Sequence, residues 1–138
     1  MSGVLVDSNV ILDLVTDDPC WADWSEQMLE RYAGMGPLFI NDLVYAEVSI
    51  GFQRIEELDQ VLARGGFISL PIPREALFLA GKVFLQYRRA GGVRISPLPD
   101  FFIGAHAAVS GLLLLSRDRA RYQTYFPAIN LITPDQLC

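Results

Sequence analysis

Val4-Leu5-Val6-Asp7-Ser8-Asn9 is the stretch that decides the fold, because an apolar triplet too short for a helix runs straight into a carboxylate and two polar residues. A short apolar run bounded in this way reads as a buried strand. The same grammar recurs at Leu38 to Ile40, Phe67 to Leu70, Leu112 to Leu115 and Ile129 to Ile132. Longer segments with helical spacing lie between. From about Pro73 to Arg89, the residues Leu77, Ala80, Gly81, Phe84 and Tyr87 share one helix face. Pro73 near the start and Gly91-Gly92 past the end supply start and stop chemistry. Helices are also expected from about Trp21 to Tyr32, Asp42 to Gln53 and Ile55 to Arg64, and Asp100 opens a further helical run through Ala107. Strands alternating with helices predict an α/β fold: a single domain over residues 1–138, with a central, mostly parallel sheet of about five strands and helices on both faces.

With 138 residues, 51% of them hydrophobic, the chain has enough apolar surface to bury one core and to leave some for association. Cys20 and Cys138 lie far apart with no second pair, which suggests neither a disulfide framework nor a zinc ligand set and places the chain in a reducing cytosol. No basic segment followed by a long apolar run opens the sequence. The oiliest region, Phe101 to Leu115, is broken by Gly104, His106, Ser110 and Gly111 and is shorter than the roughly 20 residues a spanning helix needs. A soluble, cytoplasmic protein without a membrane partner is expected.

Four acids stand where this architecture brings residues together. Asp7 follows the first strand, Asp118 follows Leu112 to Leu115, Asp100 opens a helix, and Glu47 shares a helical stripe with Leu43, Ile50 and Gly51. Open α/β sheets gather their ligands at the carboxyl ends of the strands, so all four can reach one rim. Carboxylates on apolar faces are costly unless paired or bound to a cation, which points to a divalent-metal site. Hard ions such as Mg²⁺ or Mn²⁺ prefer carboxylate and water oxygens, and four acids suffice for one or two ions.

Val6-Asp7-Ser8-Asn9, Ala46-Glu47, Pro99-Asp100-Phe101-Phe102-Ile103-Gly104-Ala105-His106-Ala107 and Ser116-Arg117-Asp118, taken in this order, resemble the PIN domain family. The likeness covers nearly the whole chain and is greatest to the VapC toxins of type II toxin–antitoxin modules. The resemblance implies a magnesium- or manganese-dependent endoribonuclease, acting on a structured RNA such as transfer or ribosomal RNA and held inactive by a VapB-type antitoxin. It implies Asp7 and Asp100 as principal metal ligands, Glu47 and Asp118 as the third and fourth catalytic acids, and Asn9 and Ser116 as supporting polar residues. Hydrolysis by an activated water, without attack by the ribose 2′-hydroxyl, predicts 5′-phosphate and 3′-hydroxyl ends.

The formal charge of −5 hides an asymmetry, with −9 over residues 1–73 and +4 over residues 74–138. Arginine grips phosphate bidentately, so Arg88, Arg89 and Arg94 around Gly91-Gly92, and Arg117, Arg119 and Arg121 around Asp118, are candidate RNA contacts or partners for acids of another protein. Asp42 is expected as a helix cap, while Asp13 and the Asp17-Asp18-Pro19 turn read as solvated. His106, the only histidine, lies about 240° round the helix from Asp100 and reads as structural. Its solitude argues against paired-histidine ribonuclease chemistry. An aspartyl phosphatase would want Asp-x-Asp where Asp7-Ser8-Asn9 stands, and a phosphoacceptor receiver would want a lysine near a late strand, whereas Lys82 is mid-helix. A non-catalytic RNA- or protein-binding module stays as the alternative. Apolar surface of this extent also predicts a homodimer whose helical grooves receive an antitoxin segment.

Overall fold

The strands β1 (Val4–Val6), β2 (Leu38–Ile40), β3 (Phe67–Ser69), β4 (Leu113–Leu115) and β5 (Leu131–Ile132) form one sheet in the order β3-β2-β1-β4-β5. The computed structural model describes residues 3–92, 98–135 and 138. Every neighbouring pair is parallel, with Leu5 aligned to Phe39 on one side and to Leu114 on the other. The mostly parallel sheet expected from the sequence is therefore wholly parallel. Strand bounds differ from expectation by up to two residues, mostly at Leu70, Leu112 and Ile129, which lie just outside the ladder.

Chain order explains the geometry. Successive strands step outward from β1 to β2 to β3, then the chain crosses back to β4 and steps the other way to β5. Right-handed crossovers put the helices of the two directions on opposite faces. All three residues of β1 and of β2 are accordingly buried, as in a sheet covered on both sides. Leu5, Ile40, Leu114 and Leu115 are at most 1% exposed and form the core's centre. Cutting Leu114 back to alanine there would cost about 2–5 kcal/mol.

Seven helices are present among the described residues: α1 (Ser8–Val15), α2 (Ala22–Ala33), α3 (Asp42–Val48), α4 (Ile55–Arg64), α5 (Arg74–Arg89), α6 (Leu98–Ser110) and α7 (Arg119–Tyr125). Neither α1 nor α7 was delimited from the sequence. α3 also ends sooner than expected, because the chain tightens into a 3₁₀ turn over Ser49–Gly51. That change leaves Ile50 82% exposed, so it does not share the half-buried stripe of Leu43 and Glu47. The cap of α3 is Asn41, whose side chain accepts from the Val44 N–H at 3.0 Å, and Asp42 is instead the first helical residue.

α5 carries two apolar stripes. Ala76, Ala80 and Val83 face the core, whereas Leu77, Phe78 and Leu85 are 42–69% exposed. The single face expected from the sequence mixed the two. Where α6 meets α7, a Cβ on Gly104 would stand 2.5 Å from the Phe126 ring. Only a residue without a side chain lets this close approach fix the end of α7.

Cys20 and Cys138 form a disulfide, with Cα atoms 5.8 Å apart. This corrects the expectation of unpaired cysteines: 118 residues of separation along the chain become adjacency once the C-terminal tail reaches the turn before α2. The disulfide also removes the cysteine-based ground for a reducing compartment. Among the described residues no helix is long and apolar enough to cross a membrane.

Candidate active site

Asp7 leaves the carboxyl end of β1 as the N-cap of α1, its Oδ1 accepting from the Ser8 N–H at 2.8 Å. Ser116 directly follows the neighbouring strand β4, so both residues lie at the reversal of strand order where open parallel sheets split. Ser116 Oγ donates to Asp7 Oδ2 at 2.8 Å and accepts from the Asp118 N–H at 3.0 Å. Asn9, the second residue of α1, donates to Ser116 Oγ at 3.3 Å and reaches Asp7 Oδ2 at 3.5 Å. Its own Oδ1 accepts from the Arg117 N–H at 3.4 Å. Asn9 and Ser116 thus tie the ends of β1 and β4 together around one carboxylate.

The other acids join through hydroxyl groups. Ser8 Oγ donates to Glu47 Oε1 at 3.0 Å, linking α3 to the start of α1. Tyr122, fully buried on α7, donates to Asp7 Oδ2 at 2.9 Å, with Asp100 Oδ1 at 3.4 Å from the same hydroxyl. A phenol has one proton to give, so the nearer Asp7 receives it. From the same helix, Arg121 Nη1 donates to Asp100 Oδ2 at 2.7 Å and Nε lies 2.9 Å from Asp118 Oδ2. All four expected acids, with Asn9 and Ser116, therefore belong to one bonded network.

Burial charges this network with strain. Desolvation raises the Asp7 carboxyl above the usual range, against the lowering effect of its Ser116, Tyr122 and Ser8 hydrogen bonds. Glu47 is raised for the same first reason, and the charges of Asp7 and Asp100 add to it. Asp100 is pushed up to about 6, chiefly by burial, with repulsion from Asp7 and Asp118 and with Arg121 pulling the other way. Tyr122 lies well above the ordinary phenol value, first through burial and then through Asp7 and Asp100. Acids this reluctant to ionise side by side favour any cation that reaches them.

Oxygen donors of this kind suit Mg²⁺ or Mn²⁺. Among the described residues, however, no three acid, histidine or cysteine side chains form a ready metal-ligand group. Within the cluster the Arg121 guanidinium pairs with both Asp100 and Asp118, and the Tyr122 hydroxyl lies within reach of both Asp7 and Asp100. The donor chemistry fits a divalent ion, and the arrangement holds its own cation instead.

The candidate arginines divide. Arg117 Nε and Nη2 each donate to Asp13 at 2.8 Å, and its guanidinium lies over the Trp21 ring, 5.7 Å from the centroid. Asp13 is 2% exposed and also accepts from Ser25 Oγ, so it is not the solvated acid the sequence suggested. Asp18 Oδ1 accepts from the N–H groups of Cys20 and Trp21, closing the turn before α2. Arg88 and Arg89 occupy the exposed last turn of α5, with Arg88 over the Phe84 ring. Arg94 lies outside the described residues.

His106 is buried, and its Nδ1 meets Asn41 Nδ2 at 3.1 Å; burial lowers its pKa. Tyr122 is the member of the acid network that sequence reasoning missed, and Arg121, expected as a phosphate contact, is instead paired with two of the acids. Their spacing of three and four from Asp118 was the available signal, since those positions share one helix face.

The family whose sequence pattern matches is the PIN domain, over residues 4–127. Comparison with curated proteins finds no match. Among solved structures, the chain is similar to one in VapBC2 from Rickettsia felis bound to a DNA fragment from their promoter (TM-score 0.74, 18% identity, 98% of this chain and 100% of that one). It is also similar to one in VapBC-1 from nontypeable Haemophilus influenzae (0.70, 16%, 96% and 98%) and to one in a toxin–antitoxin complex from Klebsiella pneumoniae (0.68, 22%, 98% and 100%). At these identities the likeness establishes the fold, and the match across nearly the whole chain establishes the family: this chain is a PIN domain.

Proposed function

We propose that the chain is the toxin of a type II toxin–antitoxin module, a Mg²⁺- or Mn²⁺-dependent endoribonuclease restrained by a VapB-like antitoxin. One observation carries this reading: Asp7, Glu47, Asp100 and Asp118, from four separate segments, meet through Ser8, Ser116, Tyr122 and Arg121 at the sheet's switch point. One or two divalent ions held by these acids would supply an activated water, charge neutralisation at phosphorus and support for the leaving oxygen. Asp7 and Asp100 are the principal ligands in this reading, Glu47 and Asp118 complete the set, and Asn9 and Ser116 hold Asp7 in place. Arg88, Arg89 and Arg94 are proposed RNA contacts. Arg117, already committed to Asp13, contributes through its position beside Asp118.

Two surfaces support the partners. An apolar cleft of about 260 Å³ opens between α1, α2 and α4, lined by Ile11, Leu14, Leu29, Val61 and Phe67, and suits an antitoxin segment. The outward stripe of α5, Leu77, Phe78 and Leu85, suits a second copy of the chain. The alternative, a PIN-like module that binds RNA or protein without cutting, is favoured by the Arg121 pairs that fill the acid cluster.

Cleavage of total cellular RNA with Mg²⁺ or Mn²⁺, beside EDTA and Asp100→Asn controls, separates them. Discrete cuts that need metal, vanish in the variant and leave 5′-phosphate ends support the nuclease. Cuts that survive in the variant, or 2′,3′-cyclic ends, would sink it.

A further inference from the structure

Arg121 stands out in the whole molecule as a cation placed inside the acid cluster while remaining largely open to solvent. Its side chain is 60% exposed, yet Nη1 lies 2.7 Å from Asp100 Oδ2 and Nε lies 2.9 Å from Asp118 Oδ2. One guanidinium thus holds an oxygen on each of two acids from different elements, α6 and the start of α7. A fork of fixed N–H donors suits this double grip. The carboxylates it grips are the ones a divalent ion would need, and a guanidinium this close to both repels a second cation that approaches them.

We propose that Arg121 is a resident counter-cation that divalent metal must displace, so that it sets the metal concentration at which the site fills. This rests on the metal-dependent reading above. In the metal-free chain the guanidinium screens Asp100 and Asp118 from each other. When an ion enters, both acids release Arg121, and the long side chain, already 60% exposed, swings outward from the exposed face of α7.

The consequence has an unusual sign. A residue that merely supported the ligands would weaken metal binding when removed, whereas a competing cation strengthens it. Mn²⁺ affinity, measured by calorimetry and by the electron paramagnetic resonance of free Mn²⁺ at fixed ionic strength, is expected to rise about five- to tenfold in Arg121→Ala and in Arg121→Gln. In the wild-type chain, adding Mg²⁺ is expected to move the Arg121 Nε–H resonance from a bonded to a solvent-exchanging position. Circular dichroism checks the fold of each variant, and the resonance test decides the matter on the wild-type chain if neither variant folds. Equal or weaker Mn²⁺ binding by the folded variants, or an unmoved resonance at saturating Mg²⁺, overturns the exchange while leaving the metal site intact. If the wild-type chain and both variants bind no Mn²⁺ at all, the metal-dependent reading falls and the exchange falls with it.

Discussion

The Tyr122 hydroxyl donates to Asp7 Oδ2 at 2.9 Å across 115 residues of chain, joining the first carboxylate of the sequence to the last helix. Both groups are buried, so the bond has no water to replace it. Tyr122→Phe keeps the ring and removes the donor. The variant is expected to fold and to lose about 1–3 kcal/mol in urea unfolding, with an unchanged slope. An unchanged midpoint would show that Asp7 is satisfied without it.

Metal-free stability should fall as pH rises from the ordinary carboxylate range through about 6. Burial first, and repulsion from Asp7 and Asp118 with it, raises Asp100 to about 6, so the folded chain takes up its proton more readily than the unfolded chain. Stability from such a group is full below the unfolded carboxylate range and is lost as pH climbs through the folded value. Asp7 and Glu47 are raised in the same direction. In EDTA the melting temperature is therefore expected to be higher at pH 5 than at pH 7.5, with Asp100→Asn flattening the trend and Mg²⁺ restoring stability at the higher pH. A melting temperature that climbs over this interval in EDTA would contradict the assignment.

Arg117→Ala should destabilise more than a surface substitution does. The change strands Asp13, which is 2% exposed and retains only Ser25 as a side-chain partner. Breaking a buried pair from one side costs about 3–5 kcal/mol, and because Arg117 is itself a third exposed, a loss of about 1–3 kcal/mol is expected. Asp13→Asn with Arg117→Ala should recover part of it. Losses that simply add in the double variant would mean that the two side chains do not interact.

Reduction should loosen the tail without abolishing the fold. The Cys20–Cys138 bridge closes almost the whole chain, and restricting so long a loop in the unfolded state is worth up to about 4–5 kcal/mol. Cys20→Ser is expected to unfold at lower urea and to show a free thiol by titration, where the oxidised chain shows none. Two titratable thiols in the oxidised wild-type chain would refute the bridge.

The outward stripe of α5 gives an oligomer test. Phe78 is 69% exposed beside Leu77 and Leu85, so Phe78→Asp is expected to convert a dimer to a monomer by light scattering while leaving the monomer's stability nearly unchanged. A wild-type chain already monomeric at high concentration would move the interface elsewhere.

The sheet was legible in the sequence because each strand is a short apolar run ended by Asp7, Asn41, Ser116 or a proline, and a parallel strand buried on both faces needs nothing more. The four acids were legible for the same reason, since three of them mark the ends or starts of such elements. α1 was harder: at eight residues, starting directly after Asp7, it offers little more than two turns of pattern. The Asp13–Arg117 pair was invisible, because 104 residues separate the partners and each alone resembles an ordinary surface charge. α5 misled in the opposite way, since two stripes offset by one residue blend into one apparent face. Cys20 and Cys138 likewise needed the path of the tail.

The crossing that returns the chain from β3 to β4 also gives the site a place in time. Asp7 is made before its partners, and Ser116 and Tyr122 follow 109 and 115 residues later. A nascent chain that stops short of α7 carries Asp7 without the groups that hold it, so the acid cluster assembles only once the whole stretch from Asp7 to Tyr122 has been made.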